Sequence, residues 1–357
     1  MKEVFNFSAG PAVLPKEVFE SSAAAVKNFK DTGLSILEMS HRSQEIMPVM
    51  DEAMALVTEL LNLPENYKVL FLQGGASTQF LMVPYNLLDS QAKAAYIETG
   101  TWSKKAIKEA KLFGNVEVLA SSAESTFSYI PKVTDIPGDA SYLHITSNNT
   151  IYGTQYHNFP ETSVPMVADM SSDIFSRTFD VSKFGLIYAG AQKNMGPAGI
   201  TLAIVREDML GKVKREIPTM LNYQTHIDKV SMFNTPPVFS LFVAKETLKW
   251  LKNKGGVAAI QKINEAKANR LYEEIDSNPL YKGAAVKEDR SFMNVPFVMT
   301  KEGLDAEFLQ FALERGLSGL KGHRSIGGFR ASIYNAMPEE GVTALIDCMR
   351  EFAKLKG

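Results

Sequence analysis

An α/β fold, with a large, mostly parallel sheet flanked by helices and a smaller C-terminal α+β domain, is predicted by three features of this 357-residue sequence. From about residue 68, short apolar runs alternate with longer stretches of helical period. The runs are almost wholly apolar, as strands buried on both faces are. Several of them end in glycine- or hydroxyl-rich turns that open onto a helix, the grammar of a strand, loop, helix unit.

The first strand is predicted at residues 68–72 (KVLFL), followed by the turn Gln73-Gly-Gly-Ala-Ser-Thr78 and an apolar helix. A strand at 94–97 precedes a helix over 102–113, and further strands fall at 116–119, 142–145, 166–168, 186–188 and 201–205, which makes seven. In such sheets ligands sit beyond the carboxyl ends of the strands, so the residues just after these runs are where chemistry is sought. Residues 238–254 read as a long helix, and Gly255-Gly256 separates it from a second one over 257–275, with apolar residues at Ile260, Ile263, Ala266, Leu271 and Ile275. The hinge placed there divides the chain into an N-terminal segment 1–15, a large domain 16–256 and a small domain 257–357. The small domain is predicted to hold a strand at 292–299, a helix at 304–315 closed by Gly316, a strand near 329–333 and a last helix from about Pro338.

Composition narrows the function classes. With 38 basic against 40 acidic residues the net charge is −2, so no global field favours nucleic acid or a membrane surface, and any anion site must be local. The one cysteine, Cys348, lies in an apolar helical context, which excludes an intramolecular disulfide and suggests a reducing compartment. The start, MKEVFNFSAGPAVLP, lacks the apolar run of a signal peptide, and no segment offers about 18 uninterrupted apolar residues for a membrane span. A soluble, cytoplasmic protein without nucleic-acid or membrane partners is expected, and no metal-ligand set is read.

One lysine stands out. Lys193 lies in Tyr188-Ala-Gly-Ala-Gln-Lys-Asn-Met-Gly-Pro-Ala-Gly199, among small residues just past a buried strand. A lone lysine is ordinarily a solvated surface charge. Here a planar ligand could approach closely, and partial desolvation would lower the amine from about 10.4 toward the nucleophilic range in which it forms a Schiff base with an aldehyde such as pyridoxal phosphate. Such a cofactor needs an acid for its ring nitrogen, and Asp169 directly follows strand 166–168, where a turn aspartate is the plainer alternative. Its phosphate needs N–H donors at a helix start, which Gln73–Thr78 could supply. Its ring needs an aromatic face, for which Trp102 is the candidate unless it is a core residue.

The dipeptide His-Arg occurs twice, in His41-Arg42-Ser43 and His323-Arg324-Ser325. Five histidines and ten arginines would give about 0.14 such pairs by chance, so two point to a role such as charge-assisted donation to a phosphate. Arg330 could grip a carboxylate bidentately.

The stretches Phe5-Asn-Phe-Ser-Ala-Gly-Pro-Ala12, Gly74-Gly-Ala-Ser77, Thr99-Gly-Thr-Trp102, Ala168-Asp-Met-Ser-Ser172, Ala189-Gly-Ala-Gln-Lys-Asn194, Asn234-Thr-Pro-Pro237 and Gly322-His-Arg-Ser-Ile-Gly-Gly-Phe-Arg330, in this order and nearly end to end, give a chain that resembles the phosphoserine aminotransferase family. These are class V members of the pyridoxal-phosphate-dependent fold type I superfamily. The resemblance implies Lys193 as the Schiff-base lysine, Asp169 as partner of the pyridinium nitrogen and Trp102 as the stacking residue. It implies Thr150 beside the ring oxygen, with Ala76, Ser77 and Gln192 around the cofactor phosphate. Asn234 and Thr235 would reach that phosphate from a neighbouring subunit, which implies a homodimer with shared sites. His41, Arg42, His323 and Arg324 would hold the substrate phosphate and Arg330 the α-carboxylate. The implied reaction moves an amino group from L-glutamate to 3-phosphohydroxypyruvate, in serine biosynthesis, with a related substrate of vitamin B6 synthesis as a further candidate.

Rival readings are weaker. A serine- or alanine-glyoxylate aminotransferase has no phosphate to bind, and a cysteine desulfurase needs a reactive loop cysteine. A cofactor-sensing binding protein would be expected to lose part of the catalytic set. Gly-Gly-Ala-Ser lacks the lysine of a P-loop.

Overall fold

The structure, a computed structural model, describes residues 4–356. Residues 1–3 of the predicted N-terminal segment and Gly357 of the predicted small domain lie outside them. A seven-stranded sheet runs in the order Tyr67–Leu72, Thr201–Arg206, Phe184–Gly190, Met166–Asp169, Ala140–Thr146, Lys93–Glu98, Asn115–Ser121. All seven strands overlap the predicted ones. Only Thr201–Arg206 runs antiparallel to its neighbours.

Each central strand feeds two cores, as its apolar run requires. Leu143, Ile145, Ile187 and Ala189 face one core, closed by the helices Met47–Leu61 and Val238–Asn253. Tyr142, Leu186 and Tyr188 face the other, closed by Gly75–Leu87 and Thr101–Ala110. Two helices of the first layer, Lys16–Lys27 and Met47–Leu61, were not anticipated.

A third core lies around an antiparallel three-stranded sheet, Tyr281–Gly283, Asn294–Met299 and Phe329–Ser332, with the helices Asp305–Glu314 and Glu339–Lys356. The helix Gly256–Ser277 belongs to both sides: Val257 and Ile260 pack in the first core and Leu271 and Ile275 in the third. The chain start joins the third core as well. Phe5–Asn6 pairs in parallel with Leu317–Ser318, and Phe7 is fully buried there. Among the described residues no helix is long and apolar enough to cross a membrane.

The two sheets meet where the loop after Ala140–Thr146 docks on residues 290–296. Ser291 N–H donates to the Gly153 carbonyl at 2.8 Å, and Phe292 N–H to Gln155 Oε1 at 3.0 Å. Gly153 has φ +73°, and a Cβ there would lie 2.2 Å from Pro296 Cδ. Both the backbone and the space therefore demand glycine. Gly153→Ala should lower stability by about 2 kcal/mol, read as a lower urea midpoint with an unchanged slope; an unaltered midpoint would mean that this junction yields freely.

Candidate active site

The site is assembled from the carboxyl ends of four parallel strands. Lys93–Glu98 leads to Thr99-Gly100-Thr101-Trp102, Ala140–Thr146 to Ser147–Thr150, Met166–Asp169 ends on Asp169 itself, and Phe184–Gly190 leads to Lys193.

Past Gly190 the chain makes a tight turn in which the Ala191 carbonyl accepts the N–H groups of Lys193 (2.7 Å) and Gly196 (2.8 Å). This aims the half-buried Lys193 side chain back over the strand ends, where Nζ donates to Thr150 Oγ1 at 2.7 Å. Burial pushes the amine down to about 8; the carboxylates of Asp169 and Asp173 oppose that fall, and the Arg330 guanidinium adds to it.

Asp169 is buried, and burial raises its carboxyl pKa. Ser171 resists this through two bonds to Oδ1, from its N–H at 2.9 Å and its hydroxyl at 2.6 Å, and the Lys193 charge adds to that resistance. One carboxylate oxygen is thereby fixed in place. Below it, Asp173 is held by Ser147, by Gln155 Nε2 at 3.1 Å and by Arg177 at 3.4 Å.

Trp102 stands at the start of helix Thr101–Ala110, with Lys105 Nζ 4.6 Å from its ring centroid. Its indole nitrogen is buried without a partner. Gly100 lets this helix start close to its neighbours: a Cβ there would meet Asn149 Oδ1 at 2.9 Å and the Tyr152 ring at 3.0 Å. Asn149 accepts from Thr99 Oγ1 at 3.2 Å and donates to Thr154 Oγ1 at 3.1 Å, which locks the Thr150 loop against the tryptophan turn.

Arg330, in Phe329–Ser332, reaches across from the small sheet. Its Nη1 lies 3.4 Å from the Thr150 carbonyl, its Nε is buried without a partner, and burial lowers its pKa. His323 and Arg324 lie on the preceding turn. Burial depresses the His323 imidazole pKa, and the Arg330 and Arg324 charges depress it further. Two guanidinium groups and an imidazole N–H donor thus converge, which is the electrostatic signature of an anion site.

A family model described as aminotransferase class-V matches residues 4–345. The phosphoserine aminotransferase of Phocaeicola vulgatus is 60% identical over 98% of this chain and 99% of its own. The chain belongs to the phosphoserine aminotransferase family. Among solved structures, a phosphoserine aminotransferase studied for radiation damage of its Schiff base superposes with a TM-score of 0.97 at 50% identity, over 99% of this chain and 100% of that one. A pyridoxal-phosphate-bound phosphoserine aminotransferase of Trichomonas vaginalis superposes at 0.91 with 39% identity, over 98% and 100%. The fold is therefore that of the fold type I pyridoxal-phosphate enzymes, as the sequence predicts.

The other residues that the phosphoserine aminotransferase resemblance singled out fall in three places. Ala76 and Ser77 lie in the first turn of Gly75–Leu87, behind Gly74 with φ +93°, and Gln192 precedes the lysine. Asn234 lines a cleft with Gln73, Gly74 and Thr78, and the Thr235 carbonyl accepts from Gln73 Nε2 at 3.2 Å. His41 and Arg42 lie on a separate loop before Met47–Leu61; among the described residues no hydrogen bond joins them to Lys193 or to the His323 turn. His41 Nε2 is nevertheless buried without a partner.

The sequence reading gave no role to Ser171, Asn194 or the Ser8–Pro11 segment. All three lie within stretches that carry the family resemblance, and Ser8–Pro11 passes close to the lysine: a Cβ on Gly10 would be 3.4 Å from Lys193 Cγ.

In cofactor-free protein, reductive methylation of Lys193 followed by mass spectrometry should show a midpoint near pH 8. Because Asp169 raises that value, Asp169→Asn should lower it further. A wild-type midpoint near 10.5, the ordinary value, would contradict the dry environment described here.

Proposed function

We propose that this chain transfers an amino group between L-glutamate and 3-phosphohydroxypyruvate, giving O-phosphoserine and 2-oxoglutarate, with pyridoxal phosphate as cofactor. The observation that carries this reading is a buried carboxylate, a lysine lowered to about 8 and the paired guanidinium groups of Arg324 and Arg330 around one set of strand ends, in a chain of this family.

The residues fit the cofactor. An acceptor fixed by Ser171 suits a ring N–H, an orphaned indole marks an unfinished aromatic wall, and the Gly74–Ser77 helix start offers N–H donors to a phosphate. When bound, the cofactor supplies an aldehyde for the amino acid's nitrogen and an electron sink for the charge released at Cα. Asp169 would hold the ring nitrogen protonated, Trp102 would cover one face, and Ala76, Ser77 and Gln192 would hold the phosphate.

Lys193 acts through its proton inventory. With a pKa of about 8 it is unprotonated often enough near neutrality to take a proton from the substrate Cα and to hold it for return on the far side of the amino nitrogen. Thr150 Oγ1 holds the amine over the strand ends while it does so. Arg330 would bind the α-carboxylate common to both substrates, and His323 with Arg324 the phosphate.

His41, Arg42, Asn234 and Thr235 would complete the site of a second copy in a homodimer. Large apolar side chains stand exposed beside both segments, Leu37 and Met47 near the first and Val230 and Phe233 near the second, as faces covered by a partner would. The same phosphate and carboxylate contacts would accept 3-hydroxy-2-oxo-4-phosphobutanoate, the related substrate of vitamin B6 synthesis, and a cytoplasmic location fits the lone reduced thiol of Cys348.

Lys193→Ala should lose at least about three orders of magnitude in turnover while still binding the cofactor. Arg42→Ala and Arg324→Ala should each raise KM for the phosphorylated keto acid about tenfold or more and leave the glutamate half-reaction near wild type. Equal losses in both half-reactions would remove the phosphate role.

A further inference from the structure

Among the segments that hold the Lys193 loop from outside its own strand, beside Ala12 N–H on the Gln192 carbonyl at 2.9 Å, is one turn, residues 333–337. Asn335 N–H donates to Asn194 Oδ1 at 3.0 Å, which tethers the residue next to the lysine. Tyr334 hydroxyl donates to the Ala9 carbonyl at 2.8 Å, and Ala9 is followed by Gly10, where a Cβ would come within 3.4 Å of Lys193 Cγ. The same turn therefore reaches the lysine from two sides.

What braces the turn is a buried lysine amine. Lys267, on the helix Gly256–Ser277, is fully buried, and its Nζ donates to the carbonyls of Ile333 (3.1 Å), Tyr334 (2.8 Å) and Met337 (3.0 Å). In the charged form its three N–H donors meet three acceptors. Asn264, one turn earlier, donates to Asn335 Oδ1 at 2.8 Å and to the Ser176 carbonyl at 3.1 Å, and Asn335 Nδ2 donates to the Phe175 carbonyl at 2.9 Å. Burying a charge is costly, and an apolar side chain would fill a core position without that cost. Burial lowers the Lys267 amine to about 7, with Glu339 the acid that favours its charge. The position is better explained by carbonyls that need donors than by a core that needs volume.

We infer that Lys267 is a positioning residue: by bracing the turn 333–337 it fixes, through Asn335–Asn194 and Tyr334–Ala9, where the Lys193 amine lies and how far water is kept from it. This rests on Lys193 being the reactive amine.

The charged groups facing Lys193 are Asp169, Asp173 and Arg330, and none of them is altered by changes at Lys267 or Asn194. A shift in Lys193 titration then reports hydration. The test uses cofactor-free protein with formaldehyde and cyanoborohydride as probe, comparing wild type, Lys267→Met and Asn194→Ala. The Lys193 methylation midpoint should rise by about half a unit or more in both variants, roughly a threefold slower reaction well below the midpoint. A wild-type midpoint in both variants, whatever their melting temperatures, would overturn the inference and leave Lys267 as a residue of the fold alone. Should Lys267→Met fail to fold, Asn194→Ala decides by the same shift, since it cuts the tether at the lysine's end and leaves the turn braced. Failure of the underlying reading has a different signature: wild-type Lys193 would titrate as an ordinary lysine.

Discussion

One constraint governs this molecule: an amine must be kept partly dry, beside a buried carboxylate, without being neutralised by it. Lys193 and Asp169 satisfy it because Asp169 is already engaged by Ser171, so that its charge steadies the amine but does not capture it in an ion pair. Two adjacent parallel strands, Met166–Asp169 and Phe184–Gly190, pair through Asp169 and Tyr188 and carry these residues out at the same end of the sheet. The parallel sheet is thus a prerequisite for the pair, and the two cores on its faces are what keep the sheet fixed.

The second consequence is that the site cannot belong to the large sheet alone. Drying the amine needs a cover, and the cover comes from the other side of the molecule: Arg330 over Thr150, Gly10 against the lysine stem, Asn335 on Asn194. The junction is polar and dry. Asn148 donates to Asn294 and Ser172, and Asn294 in turn donates to Ser332 and Tyr334, each at 2.8–3.0 Å. Networks of this kind contribute orientation more than affinity, because every member must find its partner for the junction to close. A seam of amides and hydroxyls therefore fixes one relative placement of the two parts where an apolar seam would allow many.

Much of this was legible in the sequence, for identifiable reasons. The strands were visible because burial on both faces leaves an unbroken apolar run, as in 186–188 and 201–205. Lys193, Asp169 and Trp102 were visible because each lies within five residues of the end of such a run. The two His-Arg pairs were visible as a departure from composition. Less was legible elsewhere. Nothing in Thr201–Arg206 says that it runs against its neighbours, since period and composition are blind to direction. Helix Lys16–Lys27 buries only Val18, Ser22 and Ala25, too thin a stripe to read, whereas Met47–Leu61, with Val49, Met50, Ala53, Val57 and Leu61 buried, carried a helical period that went unread. The polar seam left no trace, because Asn194, Asn264, Asn294 and Asn335 have meaning only through partners far along the chain.

The account stands or falls on whether one site performs both halves of a transfer in sequence. The most direct measurement is the absorption spectrum of the purified protein loaded with pyridoxal phosphate, recorded before and after L-glutamate and again after 3-phosphohydroxypyruvate. The account predicts that the band of the bound cofactor disappears with glutamate and returns with the phosphorylated keto acid, at one site per chain. A band indifferent to both additions would contradict it, and would leave a cofactor-binding protein in place of an aminotransferase.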